Sequence, residues 1–211
     1  MSAVAHHDTH ELHNPMEPTR SAQIRMNRLG IWLFCLSESF LFLALLATRF
    51  YLWRDLDHGL IRPDLAQGPA LIFTVVLLIS SFFMNRAEVA ISNGNKRQFS
   101  FGMLMTALFG LIFLLGVVFV EWGLAGETHI LPGDGAFGAV FFAMTGMHAL
   151  HVIIGIILVL IVWFNGRRDF YTPEDHWGVE AVAIFWHYVD LVWVFFYPAI
   201  YLIGTAIHLT H

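Results

Sequence analysis

Several ionisable residues stand in or at the edge of apolar runs, among them Glu38, His148, His151, Glu180, His187 and Asp190. Glu38 sits in Leu36-Ser37-Glu38-Ser39-Phe40, about ten residues into its run. Burial penalises the charged form of a carboxyl, so Glu38 is either protonated, paired or turned to a polar seam. It is a candidate proton-carrying group. The equal alternative is a neutral carboxyl bonded to another helix. His148 and His151 stand at i and i+3, on one helical face. His187 and Asp190 repeat that spacing, and Glu180 lies about two turns before His187. Such a stripe suggests a hydrogen-bonded network between the fourth and fifth runs that locks the two together. The functional alternative is a proton relay. A metal site needs further ligands, and none stands at a suitable spacing. Histidines on separate helices can also hold a haem. His148 or His151 with His187 is the pair for that, although the bulky neighbours Trp186 and Tyr188 leave little room for a macrocycle.

The elements that must position these residues are five apolar runs, at about residues 29–51, 69–91, 99–122, 137–164 and 179–203. Each reaches the roughly 20 residues that cross a ~30 Å hydrocarbon core. Only helices fit, because an open strand leaves backbone groups unpaired in lipid. The expected fold is therefore all-α: a polytopic membrane bundle of five transmembrane helices spanning residues 29–211. Gly138, Gly146 and Gly155 let another helix approach the fourth closely. Residues 1–28 read as a polar tail with His6, His7, His10 and His13. A His-rich tract can bind metal, but a solvated tail is the expectation for a terminus of this kind. Arg20, Arg25 and Arg28 precede the first run. Arg86, Lys96 and Arg97 surround the second connection, and Arg167 and Arg168 lie in the fourth. Positive charge gathers on the cytoplasmic side, so the N-terminus is expected there and the C-terminus outside. Trp32, Trp53, Trp122, Trp163 and Trp177 fall near run ends, where interfacial aromatics belong.

Composition excludes a soluble domain. Of 211 residues, 57% are hydrophobic and 13% charged, about half the charge a soluble domain carries. Mean hydropathy is +0.66. A net charge of -5 argues against nucleic acid as a partner. The single cysteine, Cys35, allows no intrachain disulfide. Residues 1–28 lack the apolar segment of a cleavable signal peptide. No internal inverted repeat of the kind transporters carry is visible.

Two segments carry a resemblance. Phe141-Phe142-Ala143-Met144-Thr145-Gly146-Met147-His148-Ala149-Leu150-His151-Val152-Ile153-Ile154-Gly155 resembles a signature of subunit III of haem-copper oxidases. So does Phe185-Trp186-His187-Tyr188-Val189-Asp190-Leu191-Val192-Trp193, followed by Tyr201. The Glu38 helix is similar to the family's carboxylate-bearing helix, and the likeness runs from about Leu29 to the end. The five-helix form, found in bacteria, lacks the first two helices of the longer form.

The resemblance implies a non-redox subunit of a cytochrome c oxidase in the bacterial cytoplasmic membrane. Haem and copper are expected in partner subunits I and II and no cofactor or metal in this chain. Its expected partners are subunit I above all, subunit II, a small subunit IV and membrane phospholipid, within a respiratory supercomplex or outside one. Its role in the family is to brace subunit I, to sustain proton uptake and to hold lipid. Glu38 matches the membrane carboxylate that reacts with dicyclohexylcarbodiimide in the family. The histidines of the fourth and fifth helices become network residues. Arg167 and Arg168 become lipid-headgroup candidates, since cations at a cytoplasmic boundary attract anionic lipid. The chain departs from relatives at Gly116 to Trp122, which lacks their Gln before a Glu-Tyr pair, and at Asn165, where a basic residue is common. Rival readings are subunit III of a quinol oxidase, an accessory protein of a nitric oxide reductase, and a free-standing transporter or haem protein.

Overall fold

Backbone groups in hydrocarbon have no water to bond, so each apolar run must close its own hydrogen bonds. The computed structural model describes residues 19–55, 67–122, 133 and 135–203. These residues form five long helices: α1 (Arg20–Asp55), α2 (Gln67–Ser92), α3 (Lys96–Gly116), α4 (Gly135–Arg167) and α5 (Trp177–Tyr197). All five are long and apolar enough to cross a membrane. The polytopic all-α bundle expected from hydropathy is the one found.

Helix ends differ from the apolar runs in ways that have local causes. α1 begins at Arg20, nine residues before the run at Leu29. Hydropathy marks the lipid-crossing part of a helix, while Arg20 to Arg28 mix charged and polar residues with Ala22, Ile24 and Met26, most of them good helix formers. The rest of the expected His-bearing tail, residues 1–18, lies outside the described residues. α2 ends in a Schellman turn: Gly94 N–H donates to Ile91 O at 2.9 Å and Asn95 N–H to Ala90 O at 2.8 Å. Gly94 takes φ +73°, which only glycine adopts without strain. Asn95 then caps α3, its side chain accepting from Gln98 N–H at 3.1 Å. α4 closes the same way, with Asp169 at φ 60° in the glycine position and Phe170 N–H donating to Asn165 O at 3.2 Å. α3 and α5 both widen into a π turn, Val117–Glu121 and Pro198–Leu202. In α5 the cause is Pro198, which has no N–H to give to the preceding turn. Ile203 N–H bonds Pro198 O at 2.8 Å instead.

α5 is the hub, packing on α1, α2 and α4, while α3 bridges α2 and α4. α1 lies outside this ring, against α4 and α5, and is the least buried span. The core centres on Trp186, which is 1% exposed. Its indole lies between two glycines: a Cβ at Gly110 of α3 would come 2.5 Å from the ring, and one at Gly155 of α4 2.9 Å. Gly155 is thus a close-approach glycine. Gly146 is not, because a Cβ there meets nothing nearer than 3.9 Å. Gly155→Ala should therefore destabilise the bundle by about 1–3 kcal/mol, despite the gain in helix propensity. Gly146→Ala should be neutral or stabilising. Thermal unfolding in detergent checks the pair, and equal melting temperatures would contradict this packing.

Candidate functional site in the membrane

Glu38 points from α1 toward α4, and its Oε2 lies 3.3 Å from His151 Nε2. The other ring nitrogen, Nδ1, lies 2.9 Å from Met147 O. A carbonyl only accepts, so Nδ1 carries a proton. Nε2 therefore either accepts a proton from a neutral Glu38 or holds one against a carboxylate. Both arrangements place one shared proton between the groups and leave the pair with no net charge. Cancellation of that kind is what permits ionisable groups at membrane depth. Above the pair opens an apolar groove of about 450 Å³, lined by Ile31, Phe34, Ile154, Leu158 and Phe185 beside the two polar residues. The side chain of Glu38 keeps 25% of its surface open to it, against 8% for His151.

The remaining ionisable residues do not join this pair. His148 is fully buried, with its ring 4.8 Å from that of Trp193 and 5.7 Å from that of Phe113. Neither of its nitrogens has a hydrogen-bond partner among the described residues. His187 Nδ1 meets Ser81 Oγ of α2 at 2.5 Å. Asp190 is 4% exposed. Ser81 interacts with it, yet among the described residues neither carboxyl oxygen has a hydrogen-bond partner. Glu180 lies at the basic end of the bundle, where it takes Arg28 at 2.6 Å and His176 at 3.6 Å.

The expected hydrogen-bonded network between α4 and α5 is therefore corrected. Among the described residues, α5 bonds α2 instead. Trp186 Nε1 donates to Ser80 Oγ at 3.0 Å, and Trp193 Nε1 to Thr74 Oγ1 at 3.0 Å. α4 meets α5 through ring contacts. The i, i+3 spacing showed which residues share a face, but not which helix that face meets. The missed signal was the match of Trp186 and Trp193, seven apart, with Ser80 and Thr74, six apart on an antiparallel helix. The haem pairing fails on direction. His151 faces α1, His148 is packed by aromatic rings and His187 faces α2, so none of the candidate pairs faces a common slot. Among the described residues no three His, Cys, Asp or Glu gather to hold a metal ion.

One end of the bundle is basic. Arg167 covers the Trp163 ring at 5.1 Å and Arg168 the Phe164 ring at 4.1 Å. Lys96 pairs with Asp169 at 2.5 Å. A depression of about 280 Å³ lies between α3 and α4 there, lined by Lys96, Arg97, Ser100 and Arg167. Arg168 stands apart from it.

Over residues 17–205 the chain matches the family model for cytochrome c oxidase subunit III. The chain belongs to that family. Cytochrome c oxidase subunit 3 of Cyanidium caldarium is 32% identical over 195 residues, covering 89% of this chain and 70% of that protein. The protein of the same name from Synechocystis is 31% identical over 188 residues, 84% of this chain and 76% of its own length. A probable quinol oxidase subunit 3 from Staphylococcus aureus is 30% identical over 200 residues, 94% of this chain and 96% of its own. As a subunit III, the chain is a multi-pass membrane protein and part of an oxidoreductase complex.

The α2–α5 bonds are open to test. Thr74→Val leaves the buried Trp193 N–H without an acceptor and should cost about 1–3 kcal/mol. Thr74→Ser keeps the hydroxyl and should restore most of it. Unfolding of the detergent-solubilised protein followed by Trp fluorescence distinguishes the two, and equal losses would remove the bond from the account.

Proposed function

We propose that this chain is the non-redox subunit III of a bacterial proton-pumping cytochrome c oxidase, seated in the cytoplasmic membrane. It braces subunit I, supports proton uptake into it and holds phospholipid at its flank. Haem and copper belong to subunits I and II in this reading. The observation that supports the proton role is the Glu38–His151 contact at 3.3 Å, two ionisable side chains at membrane depth beside an open groove. Within such a pair the proton can sit on either group at no net charge, and when it passes on, the carboxylate is left with the imidazole as its neighbour.

The basic end of the bundle is read as cytoplasmic. Arg25, Arg28, Arg86, Lys96, Arg97, Arg167 and Arg168 all lie toward it, as the distribution of Lys and Arg in membrane proteins requires. Arg167 lines the depression at that end and is the first candidate for a lipid phosphate. Arg168, over Phe164, is the second. The other side chains flagged in the sequence, His148, Glu180, His187 and Asp190, hold the bundle in shape.

A second reading is subunit III of a quinol oxidase. It is favoured by the Staphylococcus aureus relative, which matches this chain along 96% of its length. Subunits I and II select the donor. The purified complex should oxidise reduced cytochrome c, and oxidation of a quinol alone would establish the second reading.

Glu38→Gln preserves a hydrogen bond to His151 but cannot carry the proton. The variant should assemble with unchanged haem spectra and lose proton uptake or working lifetime several-fold over many turnovers. Stopped-flow oxygen consumption checks this. A first-turnover loss of about 10²–10⁴-fold, the range for a direct acid–base catalyst, would contradict a supporting role.

A further inference from the structure

We infer that the outward strip of α5 between α1 and α2 seats a transmembrane helix of a neighbouring subunit, one that presents a hydrogen-bonding side chain at mid-bilayer depth. The inference rests on the reading of this chain as a subunit of a larger complex. It concerns which face makes the contact and by what chemistry.

His187 and Tyr188 are successive residues, so they project about 100° apart around α5. Ile184, Leu191 and Phe195 fall in the angle between them. Leu191 is 54% exposed and Phe195 60%. Each edge of this strip is a polar pair. On the α2 side His187 Nδ1 meets Ser81 Oγ at 2.5 Å. On the α1 side Tyr188 Oη and Ser39 Oγ lie 3.4 Å apart. All four residues are half-buried, open to the outside rather than sealed in the core. The second ring nitrogen of His187, Nε2, has no partner among the described residues.

Depth decides what can cover such a face. His187 lies ten residues beyond Trp177, where α5 begins. At 1.5 Å per residue that is about 15 Å, the middle of a ~30 Å hydrocarbon core. No headgroup reaches that depth, and acyl chains offer nothing to a ring nitrogen or a phenol. A polar group left facing lipid there is costly. The outer faces of α3 and α4 provide the contrast. At mid-span they expose Leu108, Leu111, Ile157 and Ile161, a surface that suits lipid. The α5 strip is also concave. A groove of about 390 Å³ runs between α1 and α5 from Ser39 to Phe195, room for side chains of a crossing helix. Interhelical hydrogen bonds between such polar residues are a common attachment in membranes.

The test uses the intact complex in native membranes, with a photoreactive phenylalanine analogue at Leu191 and, separately, at Ile157 of α4. Leu191 should cross-link another membrane-spanning polypeptide several-fold more than Ile157 does. Attachment to lipid alone, to a second copy of this chain, or in equal yield from both positions would overturn the inference. His187→Leu should lower the fraction of chain retained on the detergent-solubilised complex about threefold, the ratio equivalent to ~0.6 kcal/mol, an average interhelical hydrogen bond. His187→Gln should retain it, and indifference to both substitutions would count against the contact. If the chain co-purifies with an oxidase core yet cross-links from the α4 face only, this inference falls and the subunit reading stands. If it co-purifies with no core, the subunit reading falls first.

Discussion

An indole N–H that has left water must find an acceptor on another helix, and this bundle is organised around that requirement. Among the described residues, four tryptophans meet it with a hydroxyl across a helix boundary. Trp186 and Trp193 tie α5 to Ser80 and Thr74 of α2. Trp163 Nε1 donates to Ser100 Oγ at 2.7 Å near one end of the α3–α4 seam, and Trp122 Nε1 to Thr145 Oγ1 at 3.1 Å near the other. Apolar side chains cannot fix helix register in lipid, because the surrounding tails are as apolar as leucine. Four directional bonds can. They also explain why α5 is the hub, since its two bonded indoles hold it on α2 while Gly155 lets α4 close on Trp186.

The five spans were legible because span length and lack of charge are properties of each segment alone. The orientation of side chains within a span was legible too, since His187 and Asp190 do share a flank of α5. The partners were not. A hydroxyl on α2 has no sequence mark that distinguishes Ser80, bonded to Trp186, from Ser92, whose hydroxyl returns to Val89 O of its own helix. Trp122 and Trp163 read as interfacial anchors, yet their N–H groups are spent on Thr145 and Ser100. Helix ends beyond the lipid follow backbone chemistry that hydropathy does not weigh, which is why α1 starts at Arg20 and α5 changes pitch at Pro198.

Among the ionisable residues the structure separates three kinds that the sequence presented as one group. Glu38 and His151 meet each other beside an open groove. Glu180 sits at the basic end and meets Arg28 by ordinary ion pairing, of small energetic weight at a partly exposed position. His148 and Asp190 are buried with no hydrogen-bond partner among the described residues. His148 therefore meets α5 through ring contacts with Trp193 and Phe196 rather than through a hydrogen bond.

The position of Glu38 gives this division a consequence. Its helix, α1, is the least buried of the five, and it runs beside α5 with few directional ties. Arg20 to Asp175 and Arg28 to Glu180 hold one end of it, Ser39 to Tyr188 and Glu38 to His151 hold the middle, and Arg49 to Ile203 O holds the other end. Three of those five ties include an ionisable carboxyl. The Glu38–His151 contact lies between these two anchored ends, at the middle of the seam. The pair sits at the seam between the hub and the most exposed helix, beside the groove that opens there.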